Sequence, residues 1–299
     1  MHTPVLLHEV LEALDPIPGD VVIDGTVDGG GHAAAIVSKI MPKGEFLGVD
    51  LDDHMIALAT EKILATLSAS SLGERIAIVS GNYADLPQIV AERKFPKANE
   101  LLVDLGFSSE QLESSGRGFS FSEATRNEPL LMTYEDSRTP VRELLTGMSE
   151  AEIAKAIFDL GGERYARRIA KAIKERERRH RIMTSGELAD VVRGAVPHRG
   201  KIDPATRTFQ ALRILANGEL ENLERLLGHL GDIIAPGGRV AIISFHSLED
   251  GIVKRAFRKM AADGVAEILT KKPIAATREE VLQNPRSRSA KLRAIKITK

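Results

Sequence analysis

Two carboxylates frame the barest stretch of backbone in this chain. Residues 21–37 read VVIDGTVDGGGHAAAIV, so Asp24 and Asp28 flank Gly25, and Gly29, Gly30 and Gly31 run straight into His32. Glycine lets a backbone approach a ligand closely and take positive φ. Three ligand classes compete for such a turn. A P-loop needs Lys and then Ser or Thr after the glycines, and His32-Ala33 supplies neither. A dinucleotide turn needs G-x-G-x-x-G, with the pyrophosphate at a helix N-terminus; Gly25-Thr-Val-Asp-Gly-Gly-Gly31 does not match. No Lys or Arg lies inside the turn, and two carboxylates repel a pyrophosphate. They tolerate a cationic ligand. S-adenosylmethionine (AdoMet), which carries a sulfonium and an ammonium, is one. A tight turn that binds nothing is the remaining alternative.

Further acids fall where a nucleoside would meet them. GEFLGVDLDD (44–53) is a short apolar run ending at Asp50, 26 residues after Asp24. A carboxylate at the end of a second strand accepts both ribose hydroxyls in nucleotide-binding folds. Asp52 and Asp53 are better placed to cap the next helix. ELLVDLG (100–106) carries Asp104, and GRVAIISFHS (238–247) carries His246. Asp104 is the first candidate for orienting reacting groups and His246 the second, so no catalytic residue is assigned by sequence alone. The chain has no cysteine, which excludes disulfides, thiol nucleophiles and Cys-based zinc sites. Its eight histidines are scattered, and no metal site is expected.

These residues need a scaffold. Val21–Ile23 suit a buried strand and Ala33–Val37 a closely packed helix, together the opening of a βαβ unit. Strand patterns recur at 44–50, 76–81, 100–106 and 238–247, with helical patterns at 54–67, 84–93 and 208 to about 234. This alternation predicts an α/β fold with a mostly parallel sheet and ligand loops at the strand C-terminal ends. Between 112 and 207 the rhythm breaks, and helical patterns lie at 149–160, 163–179 and 185–194. The expected organisation is a discontinuous first domain, 1–112 with 208–299, and a mainly helical insertion over 113–207. KLRAIKITK (291–299) alternates and reads as a last edge strand.

Bulk composition sets outer limits. The chain has 299 residues, 43% hydrophobic and 28% charged, with net charge −1, the balance of a soluble globule. No stretch approaches the roughly 18 apolar residues of a membrane span, and MHTPVLLHEVLEALDP lacks the basic start and cleavage site of a signal peptide. No membrane partner and a cytoplasmic location are expected. The oligomeric state is open, a homodimer included. Positive charge is local: residues 164–181 hold nine Lys or Arg against two Glu, and 286–296 hold five with no acid. Either patch suits phosphates; a solvated helix face and an exposed tail are the bland alternatives.

HTPVLLHEVLEAL, DGTVDGGGH, GVDLDD, DLGFSSEQL, RGFSF, ERYARRIAKAI, DPATRTFQALRI, PGGRVAIISFHSLED and NPRSRSAKLR follow one another along nearly the whole chain. Together they resemble the MraW/RsmH family of AdoMet-dependent methyltransferases of small-subunit ribosomal RNA, which methylate the exocyclic N4 of a cytidine in the decoding region. The resemblance implies a Rossmann-like methyltransferase sheet with a helical insertion that recognises RNA, AdoMet as cofactor, and small-subunit ribosomal RNA or the small subunit as partner. It implies that Gly30, Gly31 and His32 hold the methionine part, Asp50 the ribose and Tyr83 the adenine side, with Asp104 and Gln111 completing the pocket. Ser108, His246, Arg286, Arg288 and Lys291 would meet the RNA. The chain departs from the family pattern at Asp28, where glycine is usual, and over Pro129–Glu135 (PLLMTYE), where a P-L-D-M-R-M-D motif is expected. Leu160–Glu163, Gly218 and Gly251 also differ.

Overall fold

A computed structural model describes residues 4–67, 75–106, 115–197 and 203–299. The chain forms two compact units: Met1–Gly106 with Leu220–Lys299, and Phe107–Glu219. The return to the first unit thus comes at Leu220, beyond the 208 expected from the strand and helix rhythm.

The first unit opens with α1 (Leu7–Leu14), β1 (Val21–Asp24), α2 (Gly31–Ile40), β2 (Glu45–Asp50), α3 (Asp53–Thr66), β3 (Ile76–Ser80), α4 (Leu86–Glu92) and β4 (Ala98–Asp104). Strand side chains alternate between two covered faces. Val22, Phe46 and Leu102 pack with Leu6, Val10 and Leu14 at the N-terminus and with Ala33, Ile36, Val37 and Ile40 of α2. That α2 set recurs at i, i+3, i+4 and i+7, one helical stripe. Ile23, Leu47, Val49, Leu101 and Val103 face the other way, against Leu86 and Val90. Asp52 caps α3 as expected, its Oδ1 accepting the His54 N–H at 2.9 Å.

The second unit is helical among its described residues: α5 (Val141–Gly147), α6 (Glu150–Gly161), α7 (Ala166–Arg179), α8 (Ser185–Ala195) and α9 (Ala205–Asn217). Reciprocal capping boxes start α6 (Ser149 with Glu152) and α8 (Thr184 with Glu187). Ile153, Ile157, Ile169, Ile173, Leu188, Val192, Phe209 and Leu212 form its core. Phe209 and Leu212 belong to a stretch whose pattern had suggested the first domain.

The chain continues through α10 (Glu219–Gly228), α11 (Leu230–Ile233), β5 (Ile234–Ser244), α12 (Ser247–Ala262), β6 (Ala266–Ile268), β7 (Ile274–Ala275), α13 (Arg278–Gln283) and β8 (Lys291–Ile297). The single helix expected over 208–234 is therefore three. Gly218, at φ 61, ends the first, because a residue in the left-handed region cannot continue a helix. β5 starts four residues earlier than the sequence suggested, at 234, its register with β4 shifting between Ala98 and Glu100. It stops at Ser244 because His246 caps α12.

The sheet order is β3-β2-β1-β4-β5-β8-β6, with β7 also pairing β8. β1 to β5 pair in parallel and β8 runs antiparallel to β5. β8 is not the predicted edge: β5 flanks it on one side and β6 and β7 on the other. β6 and β7 are three and two residues long, too short for periodicity to reveal. Strand order reverses beside β1, so the crevice beyond the C-terminal ends of β1 and β4 is where such a sheet takes a ligand.

Candidate active site

Four carboxylates meet at that crevice. Asp24 ends β1, Asp50 ends β2, Asp104 ends β4, and Asp28 stands on the turn between β1 and α2. The fold supplies them with backbone donors. Asp24 Oδ1 accepts from Thr26 N–H at 3.1 Å. Asp50 Oδ2 accepts from Asp28 N–H at 2.8 Å and its Oδ1 from Asp52 N–H at 2.9 Å. Asp104 Oδ1 accepts from Gly106 N–H at 3.0 Å, and the Asp104 N–H donates to Thr26 Oγ1 at 2.6 Å. Thr26 therefore ties the β1 turn to β4, a role the sequence reading missed because Thr26 stands unremarked between two acids.

Among the described residues no Lys or Arg pairs with Asp24, Asp28, Asp50 or Asp104, and Asp24 Oδ2 is buried without a hydrogen-bond partner. Burial pushes the Asp24 carboxyl well above its ordinary range, with Asp104 and Asp50 repelling its charge. Burial does the same at Asp28, reinforced by Asp50, Asp104 and Asp24. Burial lifts Asp50 to about 6 against the pull of its backbone donors, and Asp104 to about 7, with Glu249 adding repulsion. Buried Asp24, Asp50 and Asp104 and half-buried Asp28, sharing one crevice, disfavour ionisation until a cation arrives.

The glycines serve packing as well as access. Gly30 has φ 73, and a Cβ there would sit 2.7 Å from Ala59 Cα of α3. A Cβ on Gly31 would sit 3.1 Å from Pro4. Part of the turn's bareness, read from sequence as room for a ligand, is thus room for α3 and the N-terminal segment. Gly25 lies under Tyr83, its missing Cβ 3.1 Å from the Tyr83 Cβ. Tyr83 opens a short 3₁₀ turn that Asn82 caps by accepting the Ala84 N–H at 2.9 Å. The structure therefore gathers Gly30, Gly31, His32, Asp50, Tyr83 and Asp104 around one turn. Gln111 and Ser108 lie outside the described residues.

His246 holds a structural post. Its Nδ1 accepts the Glu249 N–H at 3.4 Å, and Glu249 returns Oε2 to the His246 N–H at 3.2 Å and the Phe245 N–H at 2.9 Å. The ring Nε2 lies 2.9 Å from Glu249 Oε1 without hydrogen-bond geometry. The C-terminal basic stretch divides. Arg293 is buried, its Nε 2.7 Å from Asp250, and Lys291 Nζ lies 3.5 Å from the same carboxyl. Arg286 and Arg288 sit on a 3₁₀ turn, Pro285–Ser289, with Arg288 exposed.

The second unit has its own candidate surface. A groove of about 800 Å³ is lined by Lys155, Phe158, Arg164, Tyr165, Arg167 and Arg168, among others. Phe158 is 60% exposed. The Arg164 and Arg168 guanidiniums lie 4.7 and 5.8 Å from the Tyr165 ring centre. Most arginines of this unit pair with acids, as Arg142, Arg176, Arg181, Arg193 and Arg213 do. Arg164, Arg167 and Arg168 form no ion pair among the described residues. They cluster at the start of α7, the end of a helix that disfavours cations.

The sequence profile of the MraW methylase family matches residues 1–298. The chain belongs to the MraW methylase family. It is 41% identical to the ribosomal RNA small subunit methyltransferase H of Heliobacterium modesticaldum, over 98% of this chain and 97% of that one. It is 44% identical to the protein of the same name from Sorangium cellulosum, over 98% and 90%. A putative rRNA-methylase from Clostridium thermocellum shares 10% identity at a TM-score of 0.47, covering 100% of this chain and 99% of that one, too loose a likeness to add to the sheet order itself. The methyl donor of this MraW methylase is AdoMet. The crevice fits it: a sulfonium and an ammonium supply the positive charge that Asp24, Asp28, Asp50 and Asp104 lack.

Proposed function

We propose that this chain methylates the exocyclic N4 of a cytidine in the decoding region of small-subunit ribosomal RNA. The observation that carries the reading is the crevice of four carboxylates, three of them buried, with no Lys or Arg paired to them among the described residues, in a chain whose full-length relatives are named ribosomal RNA small subunit methyltransferase H. AdoMet, when bound, supplies an electrophilic methyl group.

The chain's own residues do the rest. Asp50, with both oxygens already oriented by backbone N–H groups, accepts the ribose hydroxyls. Tyr83 flanks the adenine, and Gly30, Gly31 and His32 border the methionine end, with Gln111 completing the pocket. The cytosine amino group is a poor nucleophile because its lone pair is delocalised into the ring. An acceptor at its N–H localises that pair and takes the proton released as the new N–C bond forms. Asp104, with its pKa raised to about 7, is matched to that exchange near neutral pH. Holding nitrogen, carbon and sulfur in line supplies much of the remaining acceleration. The base must be splayed out of its stack to enter. Ser108 and the C-terminal Arg286, Arg288 and Lys291 are proposed substrate contacts, and Arg164, Arg167 and Arg168 grip phosphates, which fixes position rather than reading sequence. His246, expected as a substrate contact, has its ring capping α12, and capping is the role proposed for it.

A second reading, an RNA-binding assembly factor that kept the fold and lost turnover, draws on Asp28, whose carboxyl lies where the family pattern has glycine. Mass spectrometry of nucleosides from small-subunit RNA, with and without the gene, separates the two. Loss of N4-methylcytidine in the deletion supports the enzyme. An unchanged nucleoside profile overturns it.

A further inference from the structure

One peptide unit near the N-terminus is gripped from both sides. The Leu6 N–H donates to Glu280 Oε1 at 2.8 Å, across 274 positions of sequence. The Val5 carbonyl, on the same peptide unit, lies 2.9 Å from His32 Nε2. A carbonyl only accepts, so Nε2 carries the proton and donates. The other ring nitrogen, Nδ1, lies 3.8 Å from Asp104 Oδ2. Glu280, Leu6, Val5, His32 and Asp104 thus form a continuous line from α13 to the end of β4.

The backbone at this point is not relaxed. Leu6 is fully buried at φ 54 and ψ 35, a left-handed conformation that leucine rarely takes. Something must hold it there. A carboxylate accepting the N–H makes a charge-assisted hydrogen bond. Drawing on that N–H also strengthens the carbonyl of the same amide as an acceptor, because hydrogen bonds in a chain polarise one another. The stronger acceptor faces His32, and the bond made by one ring nitrogen sets the protonation of the other. Pro4 lies against Gly31, so the clamped segment covers the start of α2.

We propose that Glu280 is a positioning residue for the donor pocket: through the Val5–Leu6 peptide it fixes the tautomer and orientation of the His32 ring beside Asp104. Glu280 is far from the crevice in sequence, and its part in α13 is otherwise minor, its own N–H donating to Thr277 Oγ1 at 3.2 Å. The inference rests on the crevice being the AdoMet site.

The test uses the full chain and two readouts. AdoMet binding is measured by calorimetry for wild type, Glu280→Ala, Glu280→Gln and Glu279→Ala, the last an exposed neighbour on α13. The His32 ring nitrogens are followed by NMR in histidine-labelled protein, assigned through His32→Gln. Glu280→Ala is expected to weaken AdoMet binding about tenfold, the usual effect of losing a hydrogen bond to a charged group, and to move the His32 signals away from the Nε2–H pattern. Glu280→Gln keeps an oxygen acceptor and should stay within about twofold of wild type, with unchanged His32 signals. Glu279→Ala should match wild type. If Glu280→Ala does not fold, Glu280→Met, which fills the volume without an acceptor, is read the same way. Unchanged His32 signals in Glu280→Ala, unchanged affinity, or a Gln variant as impaired as the Ala variant would each overturn the proposal. Failure of wild type to bind AdoMet would overturn the donor-site reading instead.

Discussion

The backbone N–H of Asp28 donates to the carboxyl of Asp50 at 2.8 Å, so the turn that carries one acid orients another. Asp28 reaches this position at φ 47, in the left-handed region, and adds its own carboxyl to a crowded crevice. Replacing Asp28 by glycine keeps the N–H and its bond to Asp50 while removing the strain and one carboxyl from the crevice. Left-handed strain at a non-glycine residue costs about 1–3 kcal/mol, and glycine's extra chain entropy takes back about 0.5–1 kcal/mol. Asp28→Gly should therefore raise the Tm of the ligand-free protein by roughly 2–4 °C at neutral pH. A thermal melt showing a lower Tm would mean that the Asp28 carboxyl has a stabilising partner.

The same acids predict how pH acts on folding and binding. Asp50 and Asp104, raised to about 6 and about 7, hold protons more tightly folded than unfolded. Their stabilising contribution is complete below the unfolded carboxyl pKa near ~4 and is lost as pH rises through the folded values. The Tm of ligand-free protein should therefore fall between about pH 4 and pH 7. AdoMet favours the ionised acids, so its binding should release protons and tighten with pH across the same window. Calorimetry in buffers of different ionisation enthalpy reads that release directly. Zero proton release near pH 6 would show that the crevice does not meet the donor's charge.

Gly30 combines a φ of 73 with a backbone neighbour: a Cβ would sit 2.7 Å from Ala59 Cα. Gly264 has a similar φ of 69 with open space around it. Gly30→Ala should cost about 2–4 kcal/mol, conformation plus overpacking, whereas Gly264→Ala should cost about 1 kcal/mol from conformation alone. Urea unfolding at equal m-values checks the difference, and equal losses would remove the packing argument.

In the second unit, Arg164, Arg167 and Arg168 lie at the start of α7 beside exposed Phe158. Reversing all three charges to Glu should weaken RNA binding and flatten its dependence on salt. If each meets one phosphate, the logarithmic slope should fall by about 2 to 3. AdoMet binding, measured alongside, should not move. An unchanged salt slope would assign the grip on phosphates elsewhere.

Much of this site is written in local sequence. Asp24, Asp50 and Asp104 announce themselves because each follows an apolar run that can only be a buried strand, and strand ends in a parallel sheet converge. The basic start of α7 is visible for the same reason, as charge concentrated on one helix. What sequence hides is partnership at long range. Arg293 looked like part of an exposed basic tail, yet β8 lies inside the sheet and carries Arg293 to Asp250. The Leu6–Glu280 contact joins residues that share no pattern. His246 reads from sequence as a candidate for orienting the reacting groups or meeting the RNA, and Glu249, three residues on, completes a capping box with it. That signal was present in SFHSLED, but histidine is a rare helix cap.

This distinction between Asp104 and His246 gives the sharpest test of the chemistry. Asp104→Asn keeps an oxygen to accept from Gly106 N–H but cannot take a proton. Turnover on assembled ribosomal substrate should fall by about 10²–10⁴, the usual worth of a positioned acid or base, while AdoMet affinity changes far less. The variant should also abolish the proton-linked step near pH 7 in the rate profile, where the carboxyl titrates at about 7. His246→Ala should do the reverse. Losing the cap on α12 should cost about 1 kcal/mol of stability, with kcat near wild type once the protein is kept folded. If both variants turned over normally, proton removal would belong to water or to the RNA, and the carboxyl of Asp104 would serve only the donor. If His246→Ala alone lost turnover, its ring would have left the Glu249 box to meet the base.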